Sequence, residues 1–415
     1  MENKKHPWWP LFITNFLSVF NDNLIKWLVI FVGVGWVAKD NKSTVISIAS
    51  AMLVIPFILF SPYAGKLAKI YAKRRIMIVG KIAEIPIMLI AIAGFYFENL
   101  YLVMTAVLLM GFQSALFSPA KYGLIRDIRG SDGISFGTGM MEMLTFVGVL
   151  LGTVLAGFMS DNYELEWLGP VLLFVAVLGW LVSLLIKANE SPVMETKQNT
   201  LIFVSFISKQ YRLSKNFPGV NYAIFGLSMF WLIGSMLQMN IAIHSSEVLN
   251  ESDTVTGLIM SAAAIGIAAG AILTGVLSGK NVHIGYVFIG SIGLGVSMLL
   301  TILINPGTYG FMFMIFLTSF FAGFYKVPLN AFIQDKVKGR LLGDTLGYLN
   351  IMVFIFILLS AGIFELLNQL TNNNSFIIFG FIAASSLFVG VYFWFRVDGV
   401  KSDFKKIISG NFDRE

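Results

Sequence analysis

Residues 8–38 of this chain read WWPLFITNFLSVFNDNLIKWLVIFVGVGWVA. The run is long and apolar enough to cross a membrane, since the hydrocarbon core of a bilayer needs about 20 residues of helix. Lys4 and Lys5 precede it, as in a signal peptide, but no small-residue cleavage site follows and the run continues through Trp36. We therefore expect a first helix that is retained in the membrane.

Further apolar runs of similar length follow, separated by short polar breaks. Hydrophobic residues make up 57% of the chain and charged residues only 13%, against roughly a quarter charged in a soluble domain. These patterns predict an all-α integral membrane protein with about twelve transmembrane helices. The expected spans are 8–38, 44–64, 76–97, 100–124, 134–160, 166–188, 221–245, 254–279, 283–304, 308–334, 344–369 and 374–396.

The longest polar interval separates six spans from six. It predicts a first bundle at 1–190, a cytoplasmic linker at 191–219, a second bundle at 220–397 and a cytoplasmic tail at 398–415. Within the linker, 201–207 is apolar enough for a short interfacial helix. No interval is long enough for a soluble catalytic domain.

Basic residues predict the orientation, because Lys and Arg accumulate in cytoplasmic loops. With both termini inside, the basic clusters at 66–75, 126–129, 197–215 and 336–340 all lie in the cytoplasm, and the outer loops keep only Lys39 and Lys42. We therefore attribute the net charge of +6 to the membrane topology of the chain rather than to nucleic-acid binding.

Two internal matches recur at a nearly constant offset of about 210 residues. The segment 17–20, LSVF, returns as LSMF at 227–230, and Pro119 returns as Pro328. Each pair lies in the corresponding span of its half. A constant offset at two distant places favours two parallel halves, which is the arrangement of the major facilitator fold.

Ionisable residues inside the first span are candidates for function, because a charge within a bilayer is costly and usually faces a cavity or a partner. Asp22 and Lys26 are four residues apart and share a helix face, next to Asn21 and Asn23. The two residues either form a structural ion pair or line the wall of a water-filled cavity, and their polar neighbours favour the cavity wall.

The fourth span carries Gln113, Phe117 and Lys121 at four-residue spacing, a stripe that ends in an ammonium. Lys121 either snorkels to the interface or faces a cavity beside Pro119, where the helix is expected to distort. The fifth span adds Glu142. The tenth adds Lys326, Asn330 and Gln334 on one face.

Other intramembrane polar residues are weaker candidates for a functional role. Lys81 and Glu84 are expected to pair near the membrane surface, and Gln238 with Asn240 to hold helices together. The glycine pairs 148/152 and 266/270 have the spacing of close helix contacts.

Several of these segments together resemble one family, the lysophospholipid transporters of the major facilitator superfamily. Matches occur in both halves, in the family's order, and span most of the chain. The segments are Phe20-Asn21-Asp22-Asn23, Ser118-Pro119-Ala120-Lys121-Tyr122-Gly123, Gly139-Met140-Met141-Glu142, Ser228-Met229-Phe230-Trp231 and Val327-Pro328-Leu329-Asn330-Ala331.

The resemblance implies a flippase-like carrier, working by alternating access, that moves lysophosphatidylethanolamine and lysophosphatidylglycerol from the outer to the inner leaflet of a bacterial cytoplasmic membrane for reacylation. Lys121 would meet the phosphate, while Asp22 and Glu142 would balance an amine or hold the lysine. The sequence departs from the family pattern at two positions, which bear on headgroup preference and on gating. Gln238 stands where the family has a basic residue in the seventh span, and Lys69 stands where the family has an acid in the loop after the second span. The candidate substrate-binding or coupling residues are Asp22, Asn23, Lys26, Gln113, Lys121, Tyr122, Glu142, Gln238, Lys326 and Asn330.

Other classes remain as alternatives. An acyltransferase of the same lipids would need a His followed five positions later by an Asp, and the residues five after His6, His244 and His283 are apolar. That enzyme is expected to be a separate protein and a functional partner. A proton-coupled drug or solute carrier stays open, and a scaffolding role would leave the buried charges unexplained. We expect a monomer that contacts membrane lipids and needs no cofactor or metal.

Overall fold

The structure, a computed structural model, describes residues 6–37, 41–129, 134–163, 165–190, 203–278, 282–337 and 340–409. Within these ranges every regular element is a helix. A helix satisfies all of its backbone hydrogen bonds internally, which lipid requires because it offers none in return. The helices are α1 (Trp9–Gly35), α2 (Lys42–Ile70), α3 (Lys73–Tyr96), α4 (Leu100–Arg129), α5 (Ile134–Asp161), α6 (Leu165–Leu184), α7 (Phe203–Ser214), α8 (Val220–Glu247), α9 (Asp253–Ser278), α10 (Gly285–Ile304), α11 (Thr308–Lys336), α12 (Arg340–Thr371), α13 (Ser375–Arg396) and α14 (Val400–Ser409).

In the described part of the chain, twelve helices are long and apolar enough to span a membrane, namely α1–α6 and α8–α13. The prediction of about twelve spans is confirmed. The fourth span runs unbroken through Pro119, so the expected distortion does not interrupt the helix.

The two remaining helices are short and amphipathic. α7 overlaps the expected interfacial helix at 201–207 but begins at Phe203 and extends to Ser214. α14 was not predicted, because the polar tail at 398–415 has no long apolar run. Its Phe404 packs against Phe288 and Trp394, and its Asp403 carboxylate accepts the Ile284 backbone N–H at 3.0 Å, at the start of α10.

The chain divides into two compact units. The first contains residues 1–201 together with Ser252–Gly257, and the second contains Ile202–Glu251 and Leu258–Glu415. In the first unit α1 packs on α4, α5 and α6, and α3 packs on α4 and α6. In the second unit α8 packs on α11, α12 and α13, and α10 packs on α11 and α13. These five pairings of the first unit thus recur at the corresponding helices of the second, as the sequence repeat predicts.

Glycines permit the closest helix contacts inside each unit. A Cβ at Gly152 of α5 would lie 2.5 Å from the Phe20 carbonyl oxygen of α1, and one at Gly270 of α9 would lie 1.9 Å from the Phe320 oxygen of α11. Neither backbone leaves room for a side chain. The predicted packing role of both glycine pairs is confirmed.

One end of the first unit is held together by polar contacts to the start of α3. The Glu190 carboxylate accepts the backbone N–H groups of Lys73 and Arg74, which occupy the first turn of that helix and have no partner within it. The Lys73 ammonium pairs with Asp127 at the end of α4, and Arg74 donates to the Leu184 carbonyl at 3.1 Å. Two members of the basic loop cluster are therefore bound by the protein itself.

Candidate functional site

Polar side chains of α1 and α4 meet at two points. Lys121 donates from Nζ to Asn15 Oδ1 at 3.1 Å, and the Ser114 hydroxyl donates to Asp22 Oδ2 at 2.8 Å. Asn15 and Asp22 are seven residues apart on α1, and Ser114 and Lys121 are seven apart on α4, in the opposite order. Two antiparallel helices are therefore joined by polar contacts two turns apart, or about 10 Å along the axis.

Asn15 fixes the position of the lysine. Its side chain is fully buried, and its amide nitrogen donates to Thr145 Oγ1 at 3.1 Å and to the Met141 carbonyl at 3.4 Å, both on α5. With the NH₂ group occupied there, the amide oxygen faces Lys121. The half-buried ammonium also lies 5.9 Å from the centre of the Phe117 ring. The lysine is thus held inside a helix bundle rather than extended into water.

The predicted stripe of α4, Gln113, Phe117 and Lys121, does not form one solvent-exposed face. Gln113 is 5% exposed and donates to the Gly80 carbonyl of α3 at 2.9 Å. Phe117 is buried in the apolar core of the first unit, with Met77 and Leu124. Of the three residues in the stripe, only Lys121 is partly exposed.

A second set of charges lies deeper in the same unit. Lys81 and Glu84 of α3 form an ion pair, and both side chains are 0% exposed. The other Glu84 oxygen accepts the Asn21 amide of α1. Gly179 of α6 makes room for the pair, because a Cβ there would lie 2.5 Å from Lys81 Cε. The predicted pairing is confirmed, and the neighbouring helices enclose the pair completely.

We call this whole group of side chains the first-unit polar cluster. It joins α1, α3 and α4 through direct hydrogen bonds and reaches α5 through Asn15. Its members are Asn15, Asn21, Asp22, Lys81, Glu84, Gln113, Ser114, Lys121 and Thr145.

The structure separates the residues predicted on the first span. Asp22 bonds to Ser114, whereas the Lys26 ammonium lies over the Trp27 ring, 4.6 Å from its centre. Among the described residues the two form no ion pair, so that alternative is wrong. Asn23 donates to the Val19 carbonyl of its own helix at 2.8 Å. The structure therefore brings Asp22 into the cluster and leaves Asn23 and Lys26 outside it.

The second unit holds its own intramembrane lysine. Lys326 of α11 is half-buried, and its Nζ lies 5.0 Å from the Trp231 ring centre and 5.7 Å from the Phe230 ring centre, both on α8. A cation over an indole face is stabilised electrostatically. Asn330 lies half-buried one turn further along.

The remaining predicted residues divide into two groups. Gln238 is exposed, while its neighbour Asn240 is buried and donates to the Ser375 carbonyl of α13 at 2.9 Å, so Asn240 does hold two helices together. The side chains of Tyr122, Glu142 and Gln334 lie outside the described residues. Sequence reasoning gave too little weight to Lys81 and Glu84, although two opposite charges three residues apart inside an apolar run were the available signal.

The family comparison decides the class of protein. The sequence profile of the Major Facilitator Superfamily matches residues 11–361 and 249–410. The chain belongs to the Major Facilitator Superfamily. It is a multi-pass membrane transporter of that superfamily and not an enzyme.

Superfamily members with curated names give the same class. The chain is 25% identical over 360 residues to a lysophospholipid transporter LplT of Photorhabdus laumondii, covering 85% of this chain and 86% of the relative. It is 26% identical over 361 residues to the LplT of Serratia proteamaculans, covering 85% and 86%. The resemblance found in the sequence is therefore confirmed at the level of the family.

Solved structures of the superfamily share the fold. A POT family transporter in complex with a thioalcohol-conjugated peptide aligns with a TM-score of 0.74 at 14% identity, covering 93% of this chain and 94% of the other. A D-xylose–proton symporter aligns with a TM-score of 0.73 at 12% identity, covering 95% and 98%. At such identities the likeness establishes the major facilitator fold and carries no information about the substrate.

Proposed function

We propose that this chain is a flippase that carries lysophospholipids from the outer to the inner leaflet of a bacterial cytoplasmic membrane by alternating access. A separate acyltransferase would then reacylate the lipid. The names of the curated relatives support this substrate class. The observation that carries the proposal is the half-buried Lys121 ammonium, held by Asn15 inside the first-unit polar cluster.

The chemistry of Lys121 suits a lipid phosphate. A lysophospholipid has one phosphate, one acyl chain and a small headgroup. An ammonium inside a helix bundle forms a charge-assisted hydrogen bond to a phosphate oxygen that is stronger than a neutral one. An ammonium carries three N–H donors, and the Asn15 side-chain oxygen accepts one of them.

An apolar surface for the acyl chain adjoins this site. α5 supplies Thr145 and the Met141 carbonyl to the cluster, and the same helix exposes Met143, Phe146 and Leu151. Polar and apolar contacts on one helix suit an amphiphile. In this proposal Asp22 and Glu142 balance the headgroup amine, and Lys326 and Asn330 supply polar contacts in the second half.

The proposal also states the orientation of the chain in the membrane and its division into two helix bundles. Both termini lie in the cytoplasm of the bacterium, as the basic loops indicate. The two bundles occupy residues 1–190 and 220–397, with the linker at 191–219 and the tail at 398–415 on the cytoplasmic side. One chain forms the whole transporter.

The test is a leaflet-exchange assay with purified protein in liposomes. Fluorescent lysophosphatidylethanolamine is placed in one leaflet, and its arrival in the other is followed by back-extraction or quenching. We expect faster exchange than in empty liposomes, and we expect Lys121→Ala to abolish the gain. The matched control is Lys187→Ala, because Lys187 is exposed near the end of the first unit and outside the cluster.

Each outcome separates the parts of the proposal. Equal rates with and without protein would remove lysophospholipids as substrates and leave the proton-coupled solute carrier as the better interpretation. Normal exchange by a folded Lys121→Ala variant would remove Lys121 from the site. Repeating the assay with imposed sodium or proton gradients measures coupling directly.

A further inference from the structure

The last helix of the chain, α14, lies directly beyond the final span. α13 ends at Arg396 and α14 begins at Val400, so residues 397–399 alone join the two helices. The chain turns at Gly399, whose φ of +93° is a left-handed conformation that glycine adopts without steric cost. Because α13 spans the membrane, so short a connection holds α14 at the membrane surface.

One face of α14 is fixed against the second unit. Val400 is 0% exposed, and the Phe404 ring contacts the rings of Phe288 and Trp394, whose centres lie 5.1 and 5.3 Å away. Gly285 lets α10 approach, because a Cβ there would lie 2.7 Å from the Phe404 backbone nitrogen. These contacts set the rotation of α14 about its axis, and with it the residues that face away from the protein.

The face that points away combines two lysines with an apolar side chain. Lys401, Lys405 and Ile408 follow at four- and three-residue spacing, which places them on one side of a helix. All three are exposed, Ile408 by 69%. Asp403, the acid of α14, points the other way and accepts the Ile284 backbone N–H. We call Lys401, Lys405 and Ile408 the outward face of α14.

Aromatic residues at the end of α13 continue the outward face. The Lys401 ammonium lies 4.9 Å from the ring centre of Phe395 and 5.8 Å from that of Trp394. Trp is enriched where a span crosses the headgroup layer of a bilayer, which places the ammonium at the depth of the lipid phosphates. The Phe395 ring is 71% exposed. Water would hydrate the Phe395 and Ile408 side chains at a cost, whereas a bilayer surface covers both.

Lysines beside apolar residues on one helix face are typical of an interfacial helix. The apolar groups insert among the acyl chains, and the ammonium groups extend to the lipid phosphates. We propose that the outward face of α14, together with Phe395, binds an anionic diacyl phospholipid of the bilayer. Lys401 and Lys405 contact its phosphate, and Ile408 and Phe395 contact its acyl chains. In the orientation proposed above, this lipid belongs to the cytoplasmic leaflet.

The charge of the outward face selects among lipids. Two ammonium groups meet one negative charge in a phosphatidylglycerol headgroup, whereas phosphatidylethanolamine would add a third ammonium. Each lysine close to an anionic surface strengthens binding by about fivefold, and salt weakens the effect. The site uses no residue of the first-unit polar cluster. It therefore responds to the composition of the surrounding membrane and not to the transported lipid.

Hydrogen exchange of the full chain in lipid nanodiscs measures occupancy of this site. Discs of phosphatidylcholine alone are compared with discs that also contain phosphatidylglycerol, and the peptide covering 397–409 is followed. A ligand at ten times its Kd slows exchange by about tenfold when it binds only the docked helix. We expect slower exchange of α14 with phosphatidylglycerol, and a smaller difference in high salt.

Single variants separate a site from the overall charge of the helix. Lys401→Gln and Lys405→Gln should each weaken the phosphatidylglycerol effect by about fivefold. Lys406→Gln is the matched control, because Lys406 is exposed on the other side of α14. A charge about 10 Å away across the helix is largely screened, so the control should retain most of the effect. Ile408→Ser should weaken the effect without changing a charge, and Ile408→Leu should preserve it.

Exchange in phosphatidylcholine alone identifies variants that only disturb folding, because these exchange faster in both kinds of disc. Equal exchange of the unchanged chain in the two discs would overturn the inference. Equal losses in Lys406→Gln and Lys401→Gln would also overturn it, since they would show a diffuse charge effect. Protection by inorganic phosphate in phosphatidylcholine discs would identify a soluble anion as the occupant instead of a lipid. The assay involves no transport, so this inference and the proposed function can fail separately.

Discussion

Replacing Lys81 by Met should destabilise the protein strongly, although the side-chain length is nearly unchanged. Lys81 and Glu84 are both 0% exposed, and the substitution leaves the Glu84 carboxylate with one hydrogen bond, from Asn21. Removing one partner of a buried ion pair costs about 3–5 kcal/mol, whereas replacing both with uncharged residues of similar size is often nearly neutral. We therefore expect Lys81→Met to lose several kcal/mol and Lys81→Met/Glu84→Gln to recover most of it.

Thermal unfolding in detergent, followed through the fluorescence of the chain's 8 tryptophans, measures this ranking. The loss in Lys81→Met should shrink as the pH falls, because protonation of Glu84 removes the unpaired charge. The double variant should show no such pH effect. Equal stability of the single and double variants at neutral pH would refute the reasoning, since the unpaired carboxylate would then carry no cost.

Three other contacts have measurable consequences. Asn15→Leu should slow lipid exchange while leaving the protein folded, because Lys121 loses the acceptor that positions it; the leaflet-exchange assay would contradict this if the rate were unchanged. Gly152→Ala should lower the unfolding temperature, with a cost of about 1–3 kcal/mol, because its Cβ would lie 2.5 Å from the Phe20 carbonyl oxygen. Asp403→Ala should cost about 0.5–2 kcal/mol through loss of the contact to the start of α10, and exchange of that amide hydrogen should become faster.

The twelve spans were predictable from the sequence because membrane thickness fixes the length of apolar run that a span needs. The ends were less accurate: the second span was expected at 44–64, whereas α2 covers Lys42–Ile70. Apolar run length says little where a helix continues into polar sequence. For the same reason α14 was missed, as its stability comes from Phe404 and Asp403 docking on α10.

The candidate site was predictable as a set of residues and not as a set of contacts. Polar residues inside apolar runs identified Asp22 and Lys121, but their partners Ser114 and Asn15 lie 92 and 106 residues away in the chain. Periodicity places residues on one helix face and does not say which neighbouring helix that face meets. Gln113 illustrates the limit, since its face meets α3 and the side chain is buried.

The cap on α3 has a consequence for biosynthesis. Its first backbone N–H groups are satisfied by Glu190, 117 residues further along than Lys73, and thus by a residue that leaves the ribosome after the sixth span. During translation the first N–H groups of α3 therefore lack their Glu190 partner until α6 has been inserted. The contact at the start of α3 can form only after α6, the last spanning helix of the first unit, has been inserted. A nascent chain halted before Glu190 should therefore have an α3 end that is accessible to proteases and to water.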